Sequence, residues 1–163
     1  MGMKITQNYM DEEVIKPIMK RFDELENLIK SNDKNVKLKI VDKDCYGEER
    51  TQLLNRTKIS LDLPRVPWDF APVRFLLSMS CCAMVVSEGN CPKEPYRKDV
   101  HYVQAADSDL TATILSYLRN EQQRHRITRD AYNYVKKENT LKKSVLDILQ
   151  KSNLVDVSQL PFC

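Results

Sequence analysis

The chain has 163 residues, 42% of them apolar and 30% charged, which suits a single soluble domain able to bury a core. A formal charge of only +3, with both signs mixed along the chain, argues against a nucleic-acid partner or an anionic membrane surface. Its five cysteines (Cys45, Cys81, Cys82, Cys91 and Cys163) form no CxxC, and neither His101 nor His125 stands at metal-ligand spacing from one, so a cysteine-based metal site is not expected.

Reduced structural thiols and a cytoplasmic location follow from that usage, and Cys81 and Cys82 sit in an apolar run where a thiol acts as a small hydrophobe. No apolar stretch approaches the roughly 20 residues of a membrane span. The acidic Asp11-Glu12-Glu13 near the N-terminus does not fit a secretory leader.

Val14, Ile18, Phe22, Leu25 and Ile29 recur at spacings of three and four, one face of a helix ending near Ser31-Asn32-Asp33. Pro17 limits where that helix begins, since proline is tolerated in a first turn. Val36, Leu38 and Ile40 alternate with lysines and read as a half-buried strand. After a turn at Cys45-Tyr46-Gly47, a short helix from Glu48 to Thr57 places Glu48 and Glu49 against its N-terminal dipole. Ile59 to Leu63 alternates as a second strand, and the stretch from Pro64 to Asp69 is a loop.

Pro72 opens a helix running to about Ser80. The continuous apolar run Ala83 to Ser87 predicts a strand covered on both faces, and Val100 to Val103 a fourth strand. Three helices follow. Leu110, Ile114, Leu115 and Leu118 mark the first, capped by Asp107 or Ser108. Ile127, Ala131, Tyr134 and Val135 mark the second, and Leu141, Val145, Ile148 and Leu149 the third, capped by Thr140. The basic pairs Lys136-Lys137 and Lys142-Lys143 read as a solvated face. Strands alternating with helices predict an α/β fold, a Rossmann-like parallel sheet of about four strands flanked by helices. The expected organisation is an N-terminal helix over 1–35, the Rossmann-like unit over 36–150 and a tail over 151–163.

The order of several phrases carries a family resemblance. Tyr46 to Leu63 pairs a helix containing Leu53-Leu54-Asn55 with a strand. Val73-Arg74-Phe75-Leu76-Leu77 leads through Ser78 to Cys82 into the buried run ending at Glu88. Val100 to Val103 precedes Asp107 to Leu110, and Arg124-His125-Arg126-Ile127 precedes Ala131-Tyr132. From Tyr46 to about Asn139 the chain resembles the C-terminal, nucleotide-sugar-binding lobe of two-lobed (GT-B) glycosyltransferases of the group 1 type, nearest to CgeB-like proteins.

The resemblance implies metal-independent transfer of a sugar from a nucleotide-diphosphate sugar, with no further cofactor. In open parallel sheets ligands sit beyond the carboxyl ends of strands, and a helix N-terminus attracts phosphate. The loop before Pro72 occupies that place, so Arg74 is either a cation for the diphosphate or half of a structural ion pair. Asp69 and Leu77 fall where many family members carry two glutamates, one facing the transferred sugar and one the ribose; Asp69 keeps an acceptor and Leu77 does not. Cys82 stands where the family usually has glycine, which would crowd a close backbone approach. Glu88 either contacts donor or acceptor or is a solvated turn residue. Trp68 either stacks on a ring of the ligand or folds onto its own domain; Phe70 in the same loop and Tyr46 are further candidate contacts.

The family's acceptor lobe has no counterpart in this sequence. The chain is therefore expected to be a fragment, a donor lobe working with a separate acceptor lobe or protein partner, or a degenerate relative. That last case is a non-catalytic interaction module, and Leu77 and Cys82 favour it. The N-terminal helix, with Met19 and Phe22 near its apolar stripe, would then be either a self-association face or core. With only Gly2, Gly47 and Gly89, the chain has no Walker motif, no GxGxxG and no nucleophile elbow.

Overall fold

A computed structural model describes residues 12–39, 45–64, 70–89 and 92–152. Nine elements follow one another in these segments: α1 (Glu12–Asn32), α2 (Gly47–Asn55), β1 (Ile59–Asp62), α3 (Pro72–Ser80), β2 (Met84–Glu88), β3 (Val103–Ala105), α4 (Asp107–Arg119), α5 (Glu121–Glu138) and α6 (Leu141–Lys151). The three strands form one parallel sheet in the order β1-β2-β3, with Ile59 opposite Met84, Asp62 opposite Ser87 and Glu88 opposite Ala105.

The central strand explains the layering. Met84, Val85 and Val86 are all buried, and successive side chains point to opposite faces. Met84 and Val86 join Leu25 and Ile29 of α1 and Leu110, Ile114 and Leu115 of α4 in one core. Val85 joins Phe75 and Met79 of α3 and Ala131 and Val135 of α5 in the other. A strand covered on both faces needs apolar residues at consecutive positions, which is why this one reads as an unbroken run.

The sheet has three strands among the described residues, against the four expected. Val36 and Leu38 lie against the first core but belong to no strand, and Ile40 falls outside the described residues. Apolar alternation at Val36 and Leu38 reports one-sided burial, with no ladder among the described residues. The last strand begins at Val103, three residues later than its apolar run suggested. His101 sits in a turn and Tyr102 makes an isolated parallel bridge with Lys98; His101 N–H donates to the Arg97 carbonyl (2.8 Å) and Asp99 N–H to that of Tyr102 (2.7 Å). Both side chains are buried, Tyr102 edge-on to Phe75 and His101 against Tyr134.

Pro17 lies inside α1, past its first turn. Its missing N–H costs one ladder bond near the start, and the packing of Leu25 and Ile29 holds the later turns. Phe22 packs on the same core. The N-cap of α4 is Ala106, without a side-chain bond, where Asp107 or Ser108 was expected; Asp107 is instead the first helical residue and with Asp109 faces the dipole. Thr140 caps α6 as expected, accepting from Lys143 N–H at 3.1 Å. The apolar stripe of α6 is exposed at Leu141 (81%), Val145 (45%) and Ile148 (65%).

Candidate functional site

Parallel strands bring Asp62, Ser87 and Glu88 together at the carboxyl edge of the sheet. Asp62 is the last residue of β1 and points, like Ser87 beside it, to the α3 face. Ser87 Oγ donates to Asp62 Oδ2 at 3.0 Å. The other oxygen, Oδ1, lies 3.4 Å from Arg74 Nη1, yet accepts no hydrogen bond among the described residues although it is buried. A buried carboxylate oxygen without a donor is costly, so this atom is the least satisfied polar group of the edge.

Arg74 reaches Asp62 from the first turn of α3. Its side chain remains 51% exposed against 3% for Asp62, so part of the guanidinium fork is open to solvent. Both earlier readings of Arg74 thus meet in one geometry: it is half of an ion pair and still has donors to offer. The helix start contributes less, because Pro72 has no N–H and Arg74 N–H donates to the Ala71 carbonyl at 3.0 Å.

Glu88 points to the opposite face. There it is paired with Arg21 of α1, whose Nη1 also donates to the Pro64 carbonyl at 3.3 Å. It is not a solvated turn residue: it ends β2 and its side chain is 15% exposed. Two arginine–carboxylate pairs therefore straddle the same sheet edge, Arg74–Asp62 on the α3 side and Arg21–Glu88 on the α1 side.

Asp69 and Trp68 lie outside the described residues. Phe70 is packed edge-on to Phe75 (5.1 Å) and Tyr96 (6.4 Å) in the aromatic layer under α3 and α5, with Lys93 Nζ 5.6 Å from its ring centroid. Tyr46 is 65% exposed just before α2. Leu77 is half-buried on α3, one turn after Arg74. Asp62, Ser87 and Arg21 stand in no motif or spacing that marks them as site residues.

Cys82 turns out to be remote from this edge. It follows α3 and precedes β2 at the amino edge of the sheet, with φ of 56°. Ala83 N–H donates to the Ser78 carbonyl and Cys82 N–H to that of Met79, the paired bonds of a Schellman turn. A glycine here serves the left-handed helix end, not an approach to ligand. Burial, then the neighbouring Cys82, pushes the Cys81 thiol up, with Arg50 opposing; the neutral thiol is favoured. Cys45, Cys81 and Cys82 are free, and Cys91 and Cys163 fall outside the described residues. Among the described residues no three His, Cys, Asp or Glu side chains gather to hold a metal ion. No described helix is long and apolar enough to cross a membrane.

A family model described as glycosyl transferase-like matches residues 15–150. The chain belongs to that family. No curated protein matches the chain. A glycosyltransferase-like assignment fits a single GT-B-type lobe, with helices on both faces of a parallel sheet. Within the glycosyl transferase-like region, the matched stretch runs from α1 to α6 and so includes both arginines of the carboxyl edge.

Proposed function

We propose that the chain is a donor lobe, holding a nucleotide-diphosphate sugar at the carboxyl edge of its sheet for transfer of the sugar to an acceptor. The supporting observation is the unsatisfied, buried Oδ1 of Asp62 beside the half-exposed Arg74, at the edge where open parallel sheets take ligands. Once the exposed Arg74 side chain turns toward the diphosphate and uncovers Oδ1, a ribose or sugar hydroxyl donating to it would remove the cost of that orphan acceptor. Asp62 would then supply the carboxylate that Leu77 does not.

The free part of the Arg74 guanidinium would meet the diphosphate, as a planar fork suits phosphate oxygens. In sugar transfer the bond from the anomeric carbon to the diphosphate oxygen breaks, and negative charge grows on the departing diphosphate. A cation already fixed beside it lowers that barrier. Asp69, Trp68 and Tyr46 remain candidate contacts for the sugar and the base. The acceptor would come from a second lobe or a protein partner, at the same edge, and a cytoplasmic supply of nucleotide sugar suits the chemistry.

A thermal-shift screen against UDP, GDP, ADP, CMP and their sugars tests the reading, because a ligand that binds only the native state must stabilise it. One nucleotide family should raise the melting temperature by several degrees, and Arg74→Ala should remove most of that rise. No response to any nucleotide, or an undiminished response in Arg74→Ala, would overturn it.

A further inference from the structure

The opposite, amino edge of the sheet carries a second charged feature. A groove of about 910 Å³ opens there between the α2–β1 connection and the first turns of α5. Arg56 and Lys58 line it from the connection, and Arg126 and Arg129 from α5. Among the described residues Lys58, Arg126 and Arg129 have no side-chain hydrogen bond or ion pair, and Arg56 uses only Nε, to the Gln52 carbonyl at 3.2 Å. Glu121 is the one carboxylate of the lining, and it is already engaged by Arg124 (3.2 Å) and His125 (3.3 Å).

Four uncompensated cations face one concavity, while the whole chain carries a formal +3. The positive charge of the molecule is thus concentrated at this groove and close to balanced elsewhere. Like charges gathered on two separate elements repel one another, and an anion relieves the repulsion by an amount that grows with its own charge. Three of the four are arginines, whose forks pair with phosphate oxygens two at a time. Uncharged donors stand beside them, the amides of Asn55, Asn120 and Gln122. The concave shape, lined mainly by charged and amide side chains beside Cys82 and the Tyr132 ring, does not suit a bilayer. A bounded groove on a molecule of low net charge does not suit a long nucleic-acid tract.

We propose that this groove binds a soluble ligand carrying two or more phosphoryl groups. The site is separate from the Asp62–Arg74 edge, at the other end of the strands, and does not depend on the donor reading.

Inorganic tripolyphosphate is the probe, titrated into the whole chain by calorimetry at low and at physiological salt. It should bind with Kd below about 1 mM at low salt and weaken as salt rises. The double variant Arg126→Gln, Arg129→Gln should weaken it at least about tenfold, two charge-assisted contacts being lost. A second pair, Arg56→Gln with Lys58→Gln, removes the other wall and should do the same; all four side chains are exposed, so an unchanged melting temperature verifies that each variant folds. Arg74→Ala should not abolish tripolyphosphate binding, because Arg74 lies at the opposite edge of the sheet from the groove. The proposal is overturned if tripolyphosphate does not bind, if both folded groove variants bind it as well as the parent, or if Arg74→Ala abolishes binding. Binding of a short single-stranded RNA in place of tripolyphosphate, lost in the same groove variants, would overturn it in favour of a nucleic-acid surface.

Discussion

Single residues at helix ends show how local backbone geometry sets the cost of a side chain. Cys82 holds a left-handed conformation that costs a residue with a Cβ about 1–2 kcal/mol, and glycine avoids that cost. Glycine loses about 0.5–1 kcal/mol of this advantage through the greater freedom of its unfolded chain. Cys82→Gly should therefore stabilise the protein by about 0.5–1 kcal/mol and raise Tm by about 2 °C; a lower melting temperature would mean that the thiol makes a packing contribution larger than the backbone term. Asp62 is the contrasting case. Its burial was not legible, because in the alternating run Ile59 to Leu63 it shares the polar positions with Ser60, which read as the solvent-facing side of a half-buried strand. Only the parallel register, which sets Ser87 beside it, and the crossover helix, which carries Arg74 over it, reveal a buried carboxylate.

At the level of elements, periodicity marked α1, α4, α5 and α6, since a stripe at spacings of three and four survives without knowledge of partners, whereas α2 and α3 were marked by their first turns, through Glu48-Glu49 and Pro72. Strands were read less well. Val36 and Leu38 alternate as a strand does but find no ladder among the described residues, and Val100 to Tyr102 is apolar because it feeds the aromatic layer. Junctions between helices were the least visible. Arg124 reads as one basic residue among several, yet it is 4% exposed and caps the end of α4, donating from Nη1 to the carbonyls of Tyr117 (2.8 Å) and Leu118 (3.2 Å). Its partner Glu121 is 72% exposed, so that ion pair is screened and contributes little. Carbonyl capping is the larger effect. Arg124→Met should cost about 2–3 kcal/mol, measured by urea unfolding, whereas Glu121→Gln should change stability by less than about 0.5 kcal/mol. Similar losses in both variants would place the stabilisation in the ion pair instead.

For the whole molecule, the sheet separates two chemistries: arginine–carboxylate pairs at the carboxyl edge and unpaired cations at the amino edge. Between them, the turn from Lys93 to Tyr102 is tied to α3 and α5 through stacked and edge-on rings, and His101 is the group in that layer whose charge changes near neutral pH. Burial, reinforced by the Arg97 charge and only partly opposed by Asp130, holds His101 below its ordinary range. Its Nδ1 accepts from Arg97 N–H at 3.2 Å, and its ring lies 4.4 Å from that of Tyr134, an arrangement suited to the neutral form. The unfolded chain takes up a proton at about pH 6.5, before the folded chain does. Stability from this residue is therefore present above about pH 6.5 and is lost as pH falls from there toward the lower folded value. Urea unfolding at pH 7.5 and at pH 5.5 should show lower stability at the acidic pH, by a margin that shrinks in His101→Gln, whose amide oxygen can still accept from Arg97 N–H. The exposed His125 is present in both proteins and cancels in the comparison. An equal margin in parent and variant would assign the acid sensitivity to carboxylates such as those of the two edge pairs, and the aromatic layer would then be insensitive to pH across this range.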